Sequence, residues 1–274
     1  MLLRIASHQD RRYRHVCSLE PPIPADAGQV GSKRDTHGGI ISGATCRFIL
    51  LNVLKIKSKE MERHSIFEFG SGSGMFAMTA SSYSKRGQTV VTIENVPQRV
   101  ERLRTWRENV FIAFRDDLGI NHPSHFLPQV VEGNFLDTSV RSLGYHMKHR
   151  RLIVYCNNAK GVWSNDSDTQ HLVERKLARC KAGSVVVTLD RAFVDDTRWT
   201  ETIVKTNAPS GHQSWEANTG TPRDFVVYVY KKKQSDRKTK KVSTTRALRS
   251  LRRDTHVIRM TFPRGINNDD QATA

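Results

Sequence analysis

Ile66-Phe67-Glu68-Phe69-Gly70-Ser71-Gly72-Ser73-Gly74-Met75-Phe76-Ala77 joins the end of a short apolar run directly to the start of a helix-forming one. Glycines at Gly70, Gly72 and Gly74 let the backbone turn tightly and approach a ligand closely, and a helix opening straight after them presents free N–H groups. Gly72, Gly74 and Ala77 satisfy the dinucleotide fingerprint with alanine as its last member, and Glu94, at the tip of the next strand, suits the ribose hydroxyls of either a dinucleotide or an adenosyl cofactor. The turn by itself therefore leaves two cofactor classes open. Glu68, two residues before the first glycine, favours a ligand with a cationic end, as S-adenosyl-L-methionine has.

Outward from this turn, strands and helices alternate. Strands are expected at 65–69, 88–93, 129–132, 152–156 and 184–189, mostly short runs rich in Val and Ile, as buried parallel strands are. Two more, 202–206 and 225–230, read as an antiparallel edge. Helical spacing of Phe48, Leu51, Val53 and Leu54 predicts a helix over 44–56. A second begins after Asn95 as N-cap, with Pro97 in its first turn and Val100, Leu103, Val110, Phe111 and Phe114 on its core face. The expected fold is α/β and Rossmann-like, a mostly parallel seven-stranded sheet with an antiparallel edge, as in class I methyltransferases. Pro21-Pro22-Ile23-Pro24 and Gly28, Gly31, Gly38, Gly39 and Gly43 make the first forty or so residues read as loop. The reading thus divides the chain into a loop-rich segment 1–43 contributing to the cofactor pocket, a core 44–232 and a basic tail 233–274.

The 274 residues suffice for one sizeable core with appendages, and the formal net charge of +17 predicts a polyanionic partner. Between Lys231 and Arg264 stand thirteen lysines and arginines against Asp236 and Asp254, which suits DNA contact as well as a solubilising or nuclear-import tract. No run reaches the length of a membrane span and no signal-peptide core follows Met1, so an intracellular protein with no membrane partner is expected. Cys17, Cys46, Cys156 and Cys180 lack metal or redox spacing and read as buried reduced thiols.

Two further stretches carry chemistry. The third strand ends in Glu132-Gly133-Asn134-Phe135-Leu136-Asp137, the turn that holds adenine in a class I methyltransferase; there Asn134 suits the exocyclic amine and the Phe135 ring the base. The fourth strand runs into Asn157-Asn158-Ala159-Lys160-Gly161, two amides where ligands bind in such sheets.

Taken together, the Glu68 to Gly74 turn, Glu94, Gly133-Asn134-Phe135-Leu136, Asn157-Asn158, Gly183-Ser184-Val185-Val186 and Ser214-Trp215 resemble the disruptor-of-telomeric-silencing (Dot-one type) family of histone lysine methyltransferases, which lack a SET domain. The likeness spans roughly Gly38 to Lys231. It implies methyl transfer from S-adenosyl-L-methionine, leaving S-adenosyl-L-homocysteine, to a lysine in the globular core of histone three within the nucleosome, and a nuclear location. It implies cofactor contacts from Glu68, Gly70, Gly72, Gly74, Glu94, Asn134, Phe135 and Asn157. It also implies a channel in which Asn157 lies near the methyl group and the incoming amine, lined by Trp215 and Phe225. The sequence departs from the family at His37-Gly38-Gly39, where the family has tyrosine-glycine-glutamate, at Asn134 in place of aspartate, and at Ala159 and Lys160 in place of aromatic residues. About three extra residues follow Trp215.

Methyl transfer to an amine needs positioning and desolvation rather than a nucleophilic triad, and an apolar channel beside a sulfonium lowers the lysine pKa. Three rival readings share the sequence: an RNA methyltransferase, a catalytically inactive chromatin-binding protein of the same fold, and an NAD-dependent enzyme.

Overall fold

β1 (Ser65–Phe69) lies in the middle of the sheet with all five residues buried. A computed structural model of the chain describes residues 2–21, 41–137, 141–156, 167–189, 198–206, 225–234 and 255–260. β2 (Val90–Glu94) and β4 (Leu152–Cys156) flank β1 in parallel, so that Phe69 stands beside both Ile93 and Cys156. β3 (Gln129–Glu132) and β5 (Val185–Thr188) extend the parallel sheet on either side, and β7 (Phe225–Lys232), β6 (Trp199–Thr206) and β8 (Thr255–Met260) complete it in the order β3-β2-β1-β4-β5-β7-β6-β8. β7 runs antiparallel to β5 and β6. This is the expected α/β, Rossmann-like architecture, a mostly parallel sheet with an antiparallel edge, with one strand more than the sequence suggested.

The strands divide two cores between them because side chains alternate faces. Ile66, Ile153, Tyr155, Val185 and Val187 point to one side, where they pack with α2 (Gly43–Phe48), α3 (Met75–Tyr83) and α4 (Pro97–Asp116). Phe67, Phe69, Val91, Val154 and Val186 point to the other, against Leu143 and Met147 of α5 (Arg141–His149) and Val173 and Leu177 of α6 (Ser167–Leu177). Every residue of α3 is buried, which suits its run of small and apolar side chains. α4 buries Val100, Leu103, Trp106, Val110, Ala113 and Phe114 and leaves Phe111 half-buried, as its periodicity implies.

Four expectations need correction. Asn95 is not the N-cap of α4: Val96 holds that position without a side-chain cap, and the Glu94 carboxylate takes the amides of Asn95 and Val96 instead. The helix expected over 44–56 is α2, capped by Ser42 Oγ on the Thr45 amide, followed by a π-helical turn Ile49–Val53.

The N-terminal segment is not all loop. Leu2–Ser18 forms α1, which packs on α3 with Tyr13 and Val16 buried. Gln9 and Arg12 are buried on the same face. Gln9 Nε2 donates to Tyr83 O (3.0 Å), the Arg12 guanidinium sits 3.9 Å over the Phe126 ring, and Asp10 accepts from Tyr83 Oη and pairs with Arg47. With two polar residues on the buried face, the sequence shows no clean apolar stripe, so hydropathy conceals the helix.

The tail is likewise not wholly outside the core. β8 pairs in parallel with β6, Glu201 beside Thr255, and Thr255 Oγ1 donates to Glu201 Oε2. Its residues are largely exposed, so burial contributes little to its pattern and the surrounding charge dominates the reading. Among the described residues no helix is long and apolar enough to cross a membrane.

The N-terminal helix is testable by stability. Replacing the buried Tyr13 by alanine is expected to lower unfolding free energy by about 3 kcal/mol, whereas alanine at exposed Arg14 changes it by less than about 0.5 kcal/mol, both read from urea denaturation. Equal, small effects would mean that the segment does not dock.

Candidate active site

Strand order reverses at β1, whose neighbours β2 and β4 lead to opposite sides of the sheet, and ligands in such sheets bind outside the carboxyl ends at this switch point. The glycine turn lies there. Gly70, Gly72 and Gly74 all have positive φ (61°, 56° and 76°), the left-handed region in which a Cβ is strained. Their surroundings differ. A Cβ on Gly74 would stand 2.0 Å from Leu103 Cδ2, so this glycine lets α3 and α4 meet; a Cβ on Gly70 would meet nothing within 4 Å. Gly70 is exposed, and its side of the turn is open for a ligand to approach the backbone.

Two buried carboxylates hold this turn. Glu94 Oε2 accepts from Gly72 N (2.9 Å), and its Oε1 accepts from Asn95 N (3.0 Å) and Val96 N (3.1 Å). A carboxylate offers about four acceptor sites, so three amides leave Glu94 roughly one for a ligand hydroxyl. Glu68 binds groups of the protein itself. Its Oε2 accepts from Ala77 N (3.2 Å) and Thr92 Oγ1 (3.1 Å), so it caps the first turn of α3 and ties it to β2. Burial, opposed by these hydrogen bonds and aided by the nearby Glu94 charge, pushes the Glu68 carboxyl up to about 8.

The turn after β3 lies alongside, since Glu132 pairs with Glu94 and Gly133 N donates to Glu94 O. Asn134 is exposed, and its Oδ1 accepts from Leu136 N (2.9 Å), an Asx turn that fixes the side chain. The half-buried Phe135 ring stacks on Phe69, with centroids 4.5 Å apart and planes within 10°. Cys156, the residue before Asn157, is paired with Phe69 and so brings the chain to the glycine turn. Phe225 opens β7 opposite Thr206, beyond the Thr188–Tyr228 pair and hence at the same edge of the sheet. Asn157, Asn158, Ala159, Lys160, Ser214, Trp215 and His37-Gly38-Gly39 lie outside the described residues.

Two residues of this region escape sequence reasoning. Ser71 is buried in the turn, and its hydroxyl makes no hydrogen bond. Tyr155, beside Glu68 in the sheet, stacks on Phe76 at 4.0 Å with a buried, unpartnered hydroxyl that burial keeps from ionising. The serine is visible in the turn motif, but only the folded backbone shows which serine faces inward.

No protein-family model and no curated protein matches the chain. Solved structures similar to it include a predicted O-methyltransferase from Agrobacterium tumefaciens (13% identity, 73% of this chain and 79% of that one, TM-score 0.42). An O-methyltransferase from Bacillus cereus in complex with SAH is also similar (12% identity, 82% and 91%, TM-score 0.41), as is one from Streptomyces achromogenes in complex with SAM (13% identity, 83% and 90%, TM-score 0.39).

Stability separates the two kinds of glycine. Gly74→Ala combines backbone strain with overpacking against Leu103 and is expected to lose more than about 2 kcal/mol, while Gly70→Ala loses only the strain, about 1 kcal/mol, in thermal or urea unfolding.

Glu68 gives a pH signature. Because its folded-state value lies above the ordinary carboxyl value, the folded protein keeps a proton that the unfolded chain releases, and stability falls as pH rises from about 4.5 to about 8. Glu68→Gln removes this slope, so the variant gains on the wild type between pH 5 and pH 8; parallel profiles would show that Glu68 is ionised in the fold.

Proposed function

We propose that the chain is an S-adenosyl-L-methionine-dependent methyltransferase whose acceptor is a lysine in the globular core of histone three within nucleosomes. The observation that carries the cofactor is the open face of the glycine turn at Gly70, beside a Glu94 carboxylate with acceptor capacity to spare. The buried, unpartnered hydroxyl of Ser71 fits the same group, because it offers a polar contact that the protein itself leaves unmade. The reading of the acceptor rests on the family resemblance at Asn157-Asn158 and Ser214-Trp215.

When bound, S-adenosyl-L-methionine supplies an electrophilic methyl group on a sulfonium. Everything else falls to the chain. Glu94 takes a ribose hydroxyl, and Asn134 and Phe135 receive the adenine, the ring of Phe135 being braced from behind by Phe69. Asn157 orients the acceptor amine, while Trp215 and Phe225 exclude water and disfavour its protonated form. The neutral amine gains the methyl group as its bond to sulfur breaks, S-adenosyl-L-homocysteine is the co-product, and the methylated amine's extra proton passes to solvent.

Radiolabelled S-adenosyl-L-methionine offered with nucleosomes, free histones or total RNA tests this. Label on nucleosomal histone three is expected, and it should vanish in Asn157→Ala with the fold intact. Gly70→Ala should lose cofactor binding by calorimetry while remaining folded. Label on RNA would replace the acceptor and keep the cofactor; no cofactor binding would remove the proposal altogether.

A further inference from the structure

The opposite edge of the sheet, where the parallel strands begin, is lined with cations from four separate segments. Arg63 precedes β1, Arg150 and Arg151 precede β4, Lys181 precedes β5, and the end of the antiparallel β7 brings Lys231, with Lys233 just after the strand. A groove of about 680 Å³ runs between them, lined by Arg63, His149, Arg150, Arg151 and Lys181, with no carboxylate among its described lining residues. A second groove of about 480 Å³ shares Arg151 with the first and adds Lys231 and Lys233; its one carboxylate, Glu60, is paired with Lys231 at 3.1 Å. Arg151, Ala182 and Gln234 line both grooves, so the two adjoin as one basic strip.

Arg63, Arg150, Arg151 and Lys181 are all exposed, and Lys181 Nζ makes one contact, to His149 O. Glu60, which Arg151 as well as Lys231 attracts, is outnumbered by these cations, so an anion placed among them relieves their mutual repulsion. The shape and lining select among anions. Cations strung along joined grooves suit a polymer of phosphates better than a single point charge, and guanidinium groups bind phosphate in a bidentate manner. Among the described lining residues of either groove there is no large apolar side chain, as insertion into a lipid surface would need, and no Phe, Tyr or Trp to stack on unpaired bases.

We propose that this strip binds the phosphate backbone of double-stranded nucleic acid without regard to sequence. β1 separates it from the glycine turn by about 17 Å, so a duplex held there leaves the candidate active site uncovered. The proposal stands whichever acceptor the opposite edge takes.

The test uses the full chain and a fluorescent duplex of about 20 base pairs, with Kd measured by anisotropy across a salt series. Arg63→Gln/Arg150→Gln is compared with Arg11→Gln/Arg14→Gln, which removes two equally exposed charges from α1. The first variant is expected to lower the salt slope by about 2 and weaken binding about tenfold or more at low salt, with an unchanged urea midpoint; the second should keep the wild-type slope. Equal losses in both variants would reduce the effect to net charge, and an unaffected first variant would remove the strip from binding. Loss of binding to phosphatidylserine vesicles in the first variant, with duplex binding intact, would assign the strip to membranes and overturn the proposal.

Discussion

Helices α3 and α4 both start without a side-chain cap of their own, because Gly74 and Val96 occupy their N-cap positions. Glu68 and Glu94, at or near the carboxyl ends of adjacent strands, supply what is missing. A cap contributes on the order of 1 kcal/mol, and a buried amide left unpaired costs about 1–3 kcal/mol, so each carboxylate outweighs an ordinary surface contact. More follows from their position than from their energy. Glu94 fixes Gly72 and the two residues leading into α4 through one side chain, so the shape of the turn and the placement of the helix beside it are not independent. Burial, with a smaller contribution from the Glu94 charge, favours a protonated Glu68.

This coupling explains why the sequence is readable at some points and opaque at others. Strands β1, β3 and β4 follow their apolar runs to the residue, and the glycine turn declares itself, because both depend on local composition. The role of Glu68 does not show, since spacing from the first glycine says nothing about whether a carboxylate faces a ligand or the amide of Ala77. Asn95 misleads for a similar reason: it is a good cap by type, but the helix starts one residue later, and the Glu94 carboxylate holds the amides of Asn95 and Val96. α1 is hidden because Gln9 and Arg12 occupy its buried face and are accommodated by a carbonyl and an aromatic ring. Of the acceptor side, the structure describes the backbone of Phe225 and the approach to Asn157 through Cys156, while the glycine turn and the turn after β3 are described in full.

The fold also distributes chemistry by strand direction. Parallel strands put all their carboxyl ends at one edge, and with them the glycine turn, Glu94 and the Asn134 turn. Their amino ends, joined by the far end of the antiparallel β7, gather the arginines and lysines of the other edge. Not every cation there serves that surface. Lys232 turns inward, where its Nζ donates to Ala178 O and Cys180 O at the end of α6, so it closes a helix with a positive charge where the helix dipole is negative.

The parallel pairing of β8 with β6 has a topological consequence. β7 ends beside Trp199 and β8 begins beside Glu201, so the chain need only step across one intervening strand, about 10 Å, to pass from one to the other. Three or four extended residues span that distance. Twenty-two residues separate Lys232 from Thr255, and that surplus carries eight lysines and arginines between Arg237 and Arg253. Threading of the sheet therefore sets no upper bound on the length of this connection and almost none on its composition, which leaves both open to selection for a purpose other than closing the fold.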